Sequence, residues 1–244
     1  MNKFLRKKCN IFFIFVMAIL LLIEMLVLFY FGGKKAGFHE DELYTYYSTN
    51  KTAGLFVNDR QWMERDQIRN DFVVLSGEEF RYDVVKQMQS WDVHPPVYYY
   101  IFHTVCSLFP GVFSKWLGIG VNMAAYAVCF VLLAWVVYMA VTVGRKKKNT
   151  FGPGDGNEVQ EGEERRRMGK MLACLTCLGW GGSCAVISGV MFIRMYQWLT
   201  LFILLCLGLH IWALERFYYG AGGSGKADLD ILRFGLPLSV TVFL

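Results

Sequence analysis

Apolar and polar positions along this chain fall into long blocks rather than short alternations. Residues 11–31 are apolar almost without interruption, enough to span roughly 30 Å of hydrocarbon as a helix rising about 1.5 Å per residue. Lys3, Arg6, Lys7 and Lys8 precede the run, which places the N-terminus on the cytoplasmic side by the positive-inside rule. The run is too long for the apolar stretch of a signal peptide and no small-x-small cleavage site follows, so it is expected to stay as an anchor. Glu24 interrupts it. Insertion scales charge a central acid about 2.5–3.5 kcal/mol, which the surrounding Leu, Ile and Phe can offset, and such an acid is expected to face another helix.

Residues 32–96 form a polar stretch too long and too patterned for a bare connector, and short helices are expected within it. Ser76-Gly77-Glu78-Glu79 fits a capping box, and Phe80, Val84, Met88 and Trp91 follow at helical spacing, one apolar stripe suited to a membrane surface. Asn50-Lys51-Thr52 is a glycosylation sequon, useful as a topology reporter. Residues 97–109 are aromatic-rich but only about half the length of a crossing, so they either join residues 111–116 in one span or form a second surface-lying or re-entrant element.

The next charges favour the second reading. Arg145, Lys146, Lys147 and Lys148, with Arg165, Arg166, Arg167 and Lys170, make the most basic connector, which belongs in the cytoplasm and requires an odd number of crossings between it and the first loop. The chain then divides into a first span ending at 31, an outer loop over 32–110, a second membrane segment over 111–143 with its crossing at 117–143, and a cytoplasmic linker over 144–170. Within that linker the Gly-rich, acidic residues 150–164 are expected to be disordered. A third span follows over 171–191, an Arg-x-Tyr turn with a fourth span over 192–214, and a Gly-rich linker over 215–231. Residues 232–244 begin a fifth span that stops mid-run, the look of a fragment or an early stop.

Composition agrees with the pattern. Of 244 residues 55% are hydrophobic and 16% aromatic, more apolar surface than one soluble domain could hide. The expected class is an all-α integral membrane protein, a multi-pass helical bundle whose long first outer loop holds juxtamembrane helices. The net charge of +5 sits in the flanking clusters, with no basic and aromatic interleaving of the kind that binds nucleic acid. The seven cysteines lie in or near apolar segments and imply no disulfide framework.

Two motifs imitate chemistry. The segment from Gly220 to Ala227 looks like a phosphate-binding loop, but Ala227 stands where Ser or Thr should hold magnesium and no β-strand precedes it, so it reads as a flexible linker. Cys174-x-x-Cys177 has no partner pair and reads as small packing residues in an apolar helix.

Candidate chemistry gathers around His39-Glu40-Asp41-Glu42, just past the first apolar run. Trp91-Asp92-Val93-His94-Pro95-Pro96 leads back to the membrane, and Arg194 and Tyr196 emerge on the same face by the topology above. A carboxylate there can take a proton from an acceptor hydroxyl, and Arg or His can steady a departing phosphate. His39, Asp41, Glu42 and His94 also offer nitrogen and oxygen ligands suited to a divalent metal such as zinc or manganese. The plain alternative is that the acids only solvate a loop.

Phe38 to Tyr46 with its Asp41-Glu42 pair, Asp92 to Tyr99 with His94-Pro95-Pro96, and Ile193-Arg194-Met195-Tyr196 before an apolar helix together resemble the N-terminal half of the GT-C membrane glycosyltransferases. The nearest branch is that of the protein O-mannosyltransferases and bacterial aminoarabinose transferases. The resemblance covers about residues 37–214 and implies a sugar donor on a polyprenyl (dolichyl-like) phosphate and a hydroxyl acceptor on protein, lipid or glycan. By position it makes Asp41 the base and Glu42 its neighbour in acceptor or metal binding, with His94, Arg194 and Tyr196 supporting the donor phosphate or the active face. The implied location is the endoplasmic reticulum membrane in a eukaryote or the plasma membrane in a bacterium. Members of the family carry more spans than this chain supplies, so the chain is expected to be the N-terminal portion of such an inverting transferase. Two other classes compete: a non-catalytic membrane subunit binding lipid or protein through the same loop, and an ion-handling transporter using Glu24 and Arg194. The transporter is disfavoured because too few spans carry paired charges.

Overall fold

A computed structural model describes residues 3–51, 61–142 and 156–214. The described residues form nine helices and no strand: α1 (Lys3–Lys34), α2 (Glu40–Asn50), α3 (Arg65–Asn70), α4 (Tyr82–Ser90), α5 (Val97–Ser107), α6 (Lys115–Thr142), α7 (Gly156–Gly181), α8 (Cys184–Met191) and α9 (Tyr196–Leu214). Asn10–Lys34 within α1, all of α6 and all of α9 are long and apolar enough to cross a membrane. Gln160–Gly181 and Cys184–Met191 add a fourth candidate if that bent pair is one span. The phosphate-loop imitation, the expected fifth span and the basic cluster at 145–148 lie outside the described residues.

Two expectations for the third span are corrected. Helix α7 begins at Gly156, so residues 156–164 of the segment expected to be disordered are helical. Arg165 pairs with Glu161 one turn earlier at 3.0 Å. The span is also not straight: it breaks after Gly181 and turns by 59° into α8. Gly182 N–H still reaches the Leu178 carbonyl at 3.0 Å, but Ser183 turns back onto Trp180, ending the helical ladder.

The chain divides into two compact units. The first takes the described residues up to Val27, Ala127–Val186 and those from Thr200 onward. Its core is Met17, Phe130 and Cys177, with Phe13, Leu20, Leu133, Cys174 and Trp180 packed around them. The paired cysteines are packing residues: Cys177 meets the Phe130 carbonyl and Cys174 meets Met17 sulfur. Glu24 is buried against Gly181, where a Cβ would collide with its carboxylate, so the acid does face another helix.

The second unit holds Leu28–Tyr126 and Ile187–Leu199 and is built on aromatic packing. Helix α2 packs on α4 and α5, and α4 on α5. Tyr46 stands at its centre, edge-on to Phe38, Phe102 and Phe113, while its hydroxyl donates to the Ser114 carbonyl at 2.6 Å. Burial raises the Tyr46 phenol above its ordinary range.

Three expectations for the outer stretch change here. Val84 and Met88 of α4 are buried against Tyr47 while Phe80 and Trp91 stay exposed, so the stripe faces the protein core rather than a membrane surface. Ser76 does not cap that helix. Gly77 and Phe80 both take left-handed φ values (90° and 58°), which interrupt the chain before Tyr82, and Gly77 N–H donates to the Glu79 carboxylate instead. Asn50 is buried and its amide donates to the Phe72 carbonyl at 3.0 Å, so the sequon is not open to a sugar in this fold; its Thr52 lies outside the described residues. Residues 97–109 do not merge with 111–116: α5 ends at Ser107, and a turn through Gly111 (φ 71°) separates it from α6.

Adding a Cβ to Gly118 of α6 would overlap the Ile193 side chain, whereas Gly120 faces open space. Gly118→Ala is therefore expected to cost about 1–3 kcal/mol through overpacking, read as a lower melting temperature in detergent, and Gly120→Ala to cost nothing of that kind. His103 of α5 is buried with Nδ1 3.1 Å from the Thr49 carbonyl, and burial lowers its pKa from 6.5. The folded ring therefore binds protons less readily than the unfolded one, so its stabilising contribution is present above pH 6.5 and lost as pH falls below it. Thermal denaturation against pH should show that acid-side loss reduced in His103→Gln.

Candidate functional site

The acidic cluster is a helix start. His39 sits at the N-cap of α2 in extended backbone, and its ring nitrogen accepts from Asp41 N–H at 3.2 Å. Glu42, three residues on, reaches back and accepts from His39 N–H at 2.7 Å, closing a capping box. Glu40, Asp41 and Glu42 all lie in the first turn, where negative charge is favoured by the positive end of the helix dipole.

The three acids then have different surroundings. Glu42 is wholly buried: Oε2 also takes Lys35 Nζ at 2.9 Å, and Oε1 takes the backbone N–H of Ile193 at 2.8 Å. Both oxygens are engaged in holding the unit together, so Glu42 is not placed as a second reacting acid. The Asp41 side chain is 52% exposed, its Oδ2 3.5 Å from His39 Nδ1.

Arg194 arrives from the turn between α8 and α9. Asn122 of α6 fixes that turn by donating to the carbonyls of Val190 (3.2 Å) and Phe192 (2.8 Å). The Arg194 guanidinium is buried, 4% exposed, and its Nη1 points at the Asp41 carbonyl (3.4 Å) and Thr45 Oγ1 (3.3 Å). Its Nη2 lies 3.2 Å from His94 Nε2, and its Nε is buried without a hydrogen-bond partner. Among the described residues no carboxylate forms an ion pair with Arg194.

His94 comes from the connection between α4 and α5. Its Nδ1 is 2.7 Å from Asp92 Oδ1, which also accepts from Val93 N–H at 2.7 Å, while Asp92 Oδ2 is buried without a partner. Side chains alternate along this connection: Asp92 and His94 turn inward, while Trp91 and Val93 (94% exposed) turn out. Tyr99 of α5 is buried nearby. Burial raises its phenol, the Arg194 charge opposes that, and Asp92 adds to it, so Tyr99 stays a protonated donor. Tyr98 is raised for the same first reason.

Tyr196 lies at the first turn of α9, partly exposed, its ring parallel to Phe192 at 6.0 Å between centroids. Phe192 in turn meets the His39 ring edge-on at 5.5 Å. The three sequence signatures thus come together in one unit: Asp41, His94 and Arg194 share one hydrogen-bonded cluster, with Tyr196 beside it. The proposed metal set does not converge. Glu42 faces Lys35 and backbone N–H groups, His94 faces Asp92 and Arg194, and among the described residues no three His, Cys, Asp or Glu side chains gather as a metal site.

Sequence reasoning missed Lys35, Thr45, Tyr99 and the role of Asp92. Thr45 stands one turn after Asp41, and its hydroxyl donates to the Asp41 carbonyl at 3.0 Å, a spacing that could have been read once α2 was recognised as a helix. Lys35 and Tyr99 carried no such signal. Compared with family models, curated proteins and solved structures, the chain matches none of them.

Because Glu42 is fully buried and hydrogen-bonded, Glu42→Ala should destabilise the chain by about 3–5 kcal/mol, the range for breaking a buried ion pair. Asp41→Asn, at an exposed side chain, should stay within roughly 0.5 kcal/mol. Chemical denaturation of the detergent-solubilised variants reads both.

Proposed function

We propose that this chain is a multi-pass membrane glycosyltransferase, or the N-terminal portion of one, of the GT-C kind, moving a sugar from a polyprenyl phosphate to an acceptor hydroxyl on the lumenal or periplasmic face. The observation that carries this reading is the buried Arg194 guanidinium, which among the described residues makes hydrogen bonds only to neutral acceptors and has no carboxylate counter-charge. Burying a charge without its opposite is costly, so such a group suits an anionic ligand. The apolar helices argue for a ligand that lives in lipid, and a lipid-borne phosphate satisfies both conditions.

In this reading Asp41, whose side chain is half exposed and whose backbone carbonyl meets Arg194, takes the proton from the acceptor hydroxyl. The oxygen then attacks the anomeric carbon from the face opposite the phosphate. The bond from that carbon to the phosphate oxygen breaks with its electron pair, inverting the centre, and the Arg194 charge stabilises the phosphate that departs. No metal-dependent step is assigned. Phe192 and Tyr196 stack beside this cluster.

A second reading, a non-catalytic subunit that binds lipid phosphate, is favoured by the engagement of both Glu42 oxygens in structure. Reconstitution with lipid-linked sugars separates the two. The transferase reading expects turnover in the unmodified chain and a fall of roughly 10²–10⁴-fold in Asp41→Asn with lipid-phosphate binding retained. Normal transfer by that variant removes Asp41 as the base. Saturable binding with no turnover, in a preparation carrying the whole protein, supports the subunit.

A further inference from the structure

We infer that Asp92 and His94 are positioning residues for Arg194, acting as a fixed relay in which the aspartate orients the imidazole and the imidazole orients the guanidinium. This deepens the reading above, which needs Arg194 held toward an anion, and it moves His94 from a phosphate ligand to a holder of one.

The argument is one of donors and acceptors. A guanidinium can only donate, so a ring nitrogen at 3.2 Å from Arg194 Nη2 has to accept, and His94 Nε2 carries no proton. The remaining proton lies on Nδ1, where Asp92 Oδ1 waits at 2.7 Å to accept it. Both contacts select one tautomer, as second-sphere carboxylates do for histidines elsewhere. The same aspartate oxygen accepts from Val93 N–H, so its own position is fixed by the backbone.

The other guanidinium nitrogen, Nη1, is held by the Asp41 carbonyl and Thr45 Oγ1. Arg194 is therefore gripped at both terminal nitrogens by neutral groups. An aspartate placed directly on the guanidinium would cancel its charge; an aspartate acting through a neutral imidazole holds the geometry and leaves the charge for a ligand. Asp92 is close enough to influence Tyr99 together with Arg194, consistent with one shared cluster.

The test uses the full chain in nanodiscs with ¹⁵N-labelled histidine and arginine. The expected result is a His94 ring protonated on Nδ1 and bare on Nε2, with a slowly rotating Arg194 guanidinium. His94→Ala and Asp92→Ala should release that rotation, while His94→Gln, which can accept from Arg194 and donate to Asp92, should restore it. Binding of a polyprenyl monophosphate, with inorganic phosphate as the lipid-free arm, should weaken about tenfold in the two alanine variants and by less than about threefold in His94→Gln. A proton on Nε2, or an Arg194 equally restrained in His94→Ala, overturns the relay whatever the chain binds. The relay signature with no phosphate binding in either arm upholds the relay and counts instead against the transferase reading.

Discussion

The second unit depends on one buried carboxylate. Glu42 has no contact with solvent, and its two oxygens receive an ammonium from the end of α1, the amide that opens α2 and the amide of Ile193 between α8 and α9. A buried carboxylate is costly unless every lone pair is matched, so the three segments that match it are tied to one another. The ties cross long sequence distances: Glu42 and Ile193 are 151 residues apart. Lys35 is itself held in this arrangement by Lys115, whose ammonium meets the Lys35 carbonyl and caps the end of α1.

Because Ile193 is fixed, its neighbour Arg194 is delivered to α2 rather than to solvent. Asn122 reinforces this by satisfying the carbonyls of Val190 and Phe192, which the break between α8 and α9 leaves outside a helical ladder. The Gly118 surface admits Ile193 closely, so packing and hydrogen bonding agree on the same placement. At the end of this chain of constraints Arg194 is buried, and among the described residues it has no carboxylate partner. Charge, turn and packing here serve one outcome, a buried guanidinium held against the Asp41 carbonyl, Thr45 and His94.

Much of this was legible in sequence, for definite reasons. Long apolar runs announce helices regardless of their partners, so the helices around residues 11–31, 117–143 and 197–214 were readable from length alone. The convergence of Asp41, His94 and Arg194 followed from a topology count and from motif resemblance, and the hydrogen bonds of Arg194 to the Asp41 carbonyl and His94 agree with it. What escaped was local. The spacing points to a capping box at Ser76, where Gly77 and Phe80 adopt left-handed backbone, while the box that starts α2 is hidden in His39 and Glu42 because histidine is an uncommon cap. Helix α2 was missed since its sequence, rich in Tyr, Thr and Ser, has weak helical preference and is stabilised by tertiary burial. The break after Gly181 was invisible to hydropathy, which sees only apolar residues on either side.

The connection between α4 and α5 has a consequence for how such a site can vary. Its residues face in and out by turns, Asp92 and His94 toward Arg194, Trp91 and Val93 toward the exterior. Exchanging either outward residue alters the surface, whereas exchanging Asp92 or His94 takes a group out of the hydrogen-bonded cluster around Arg194.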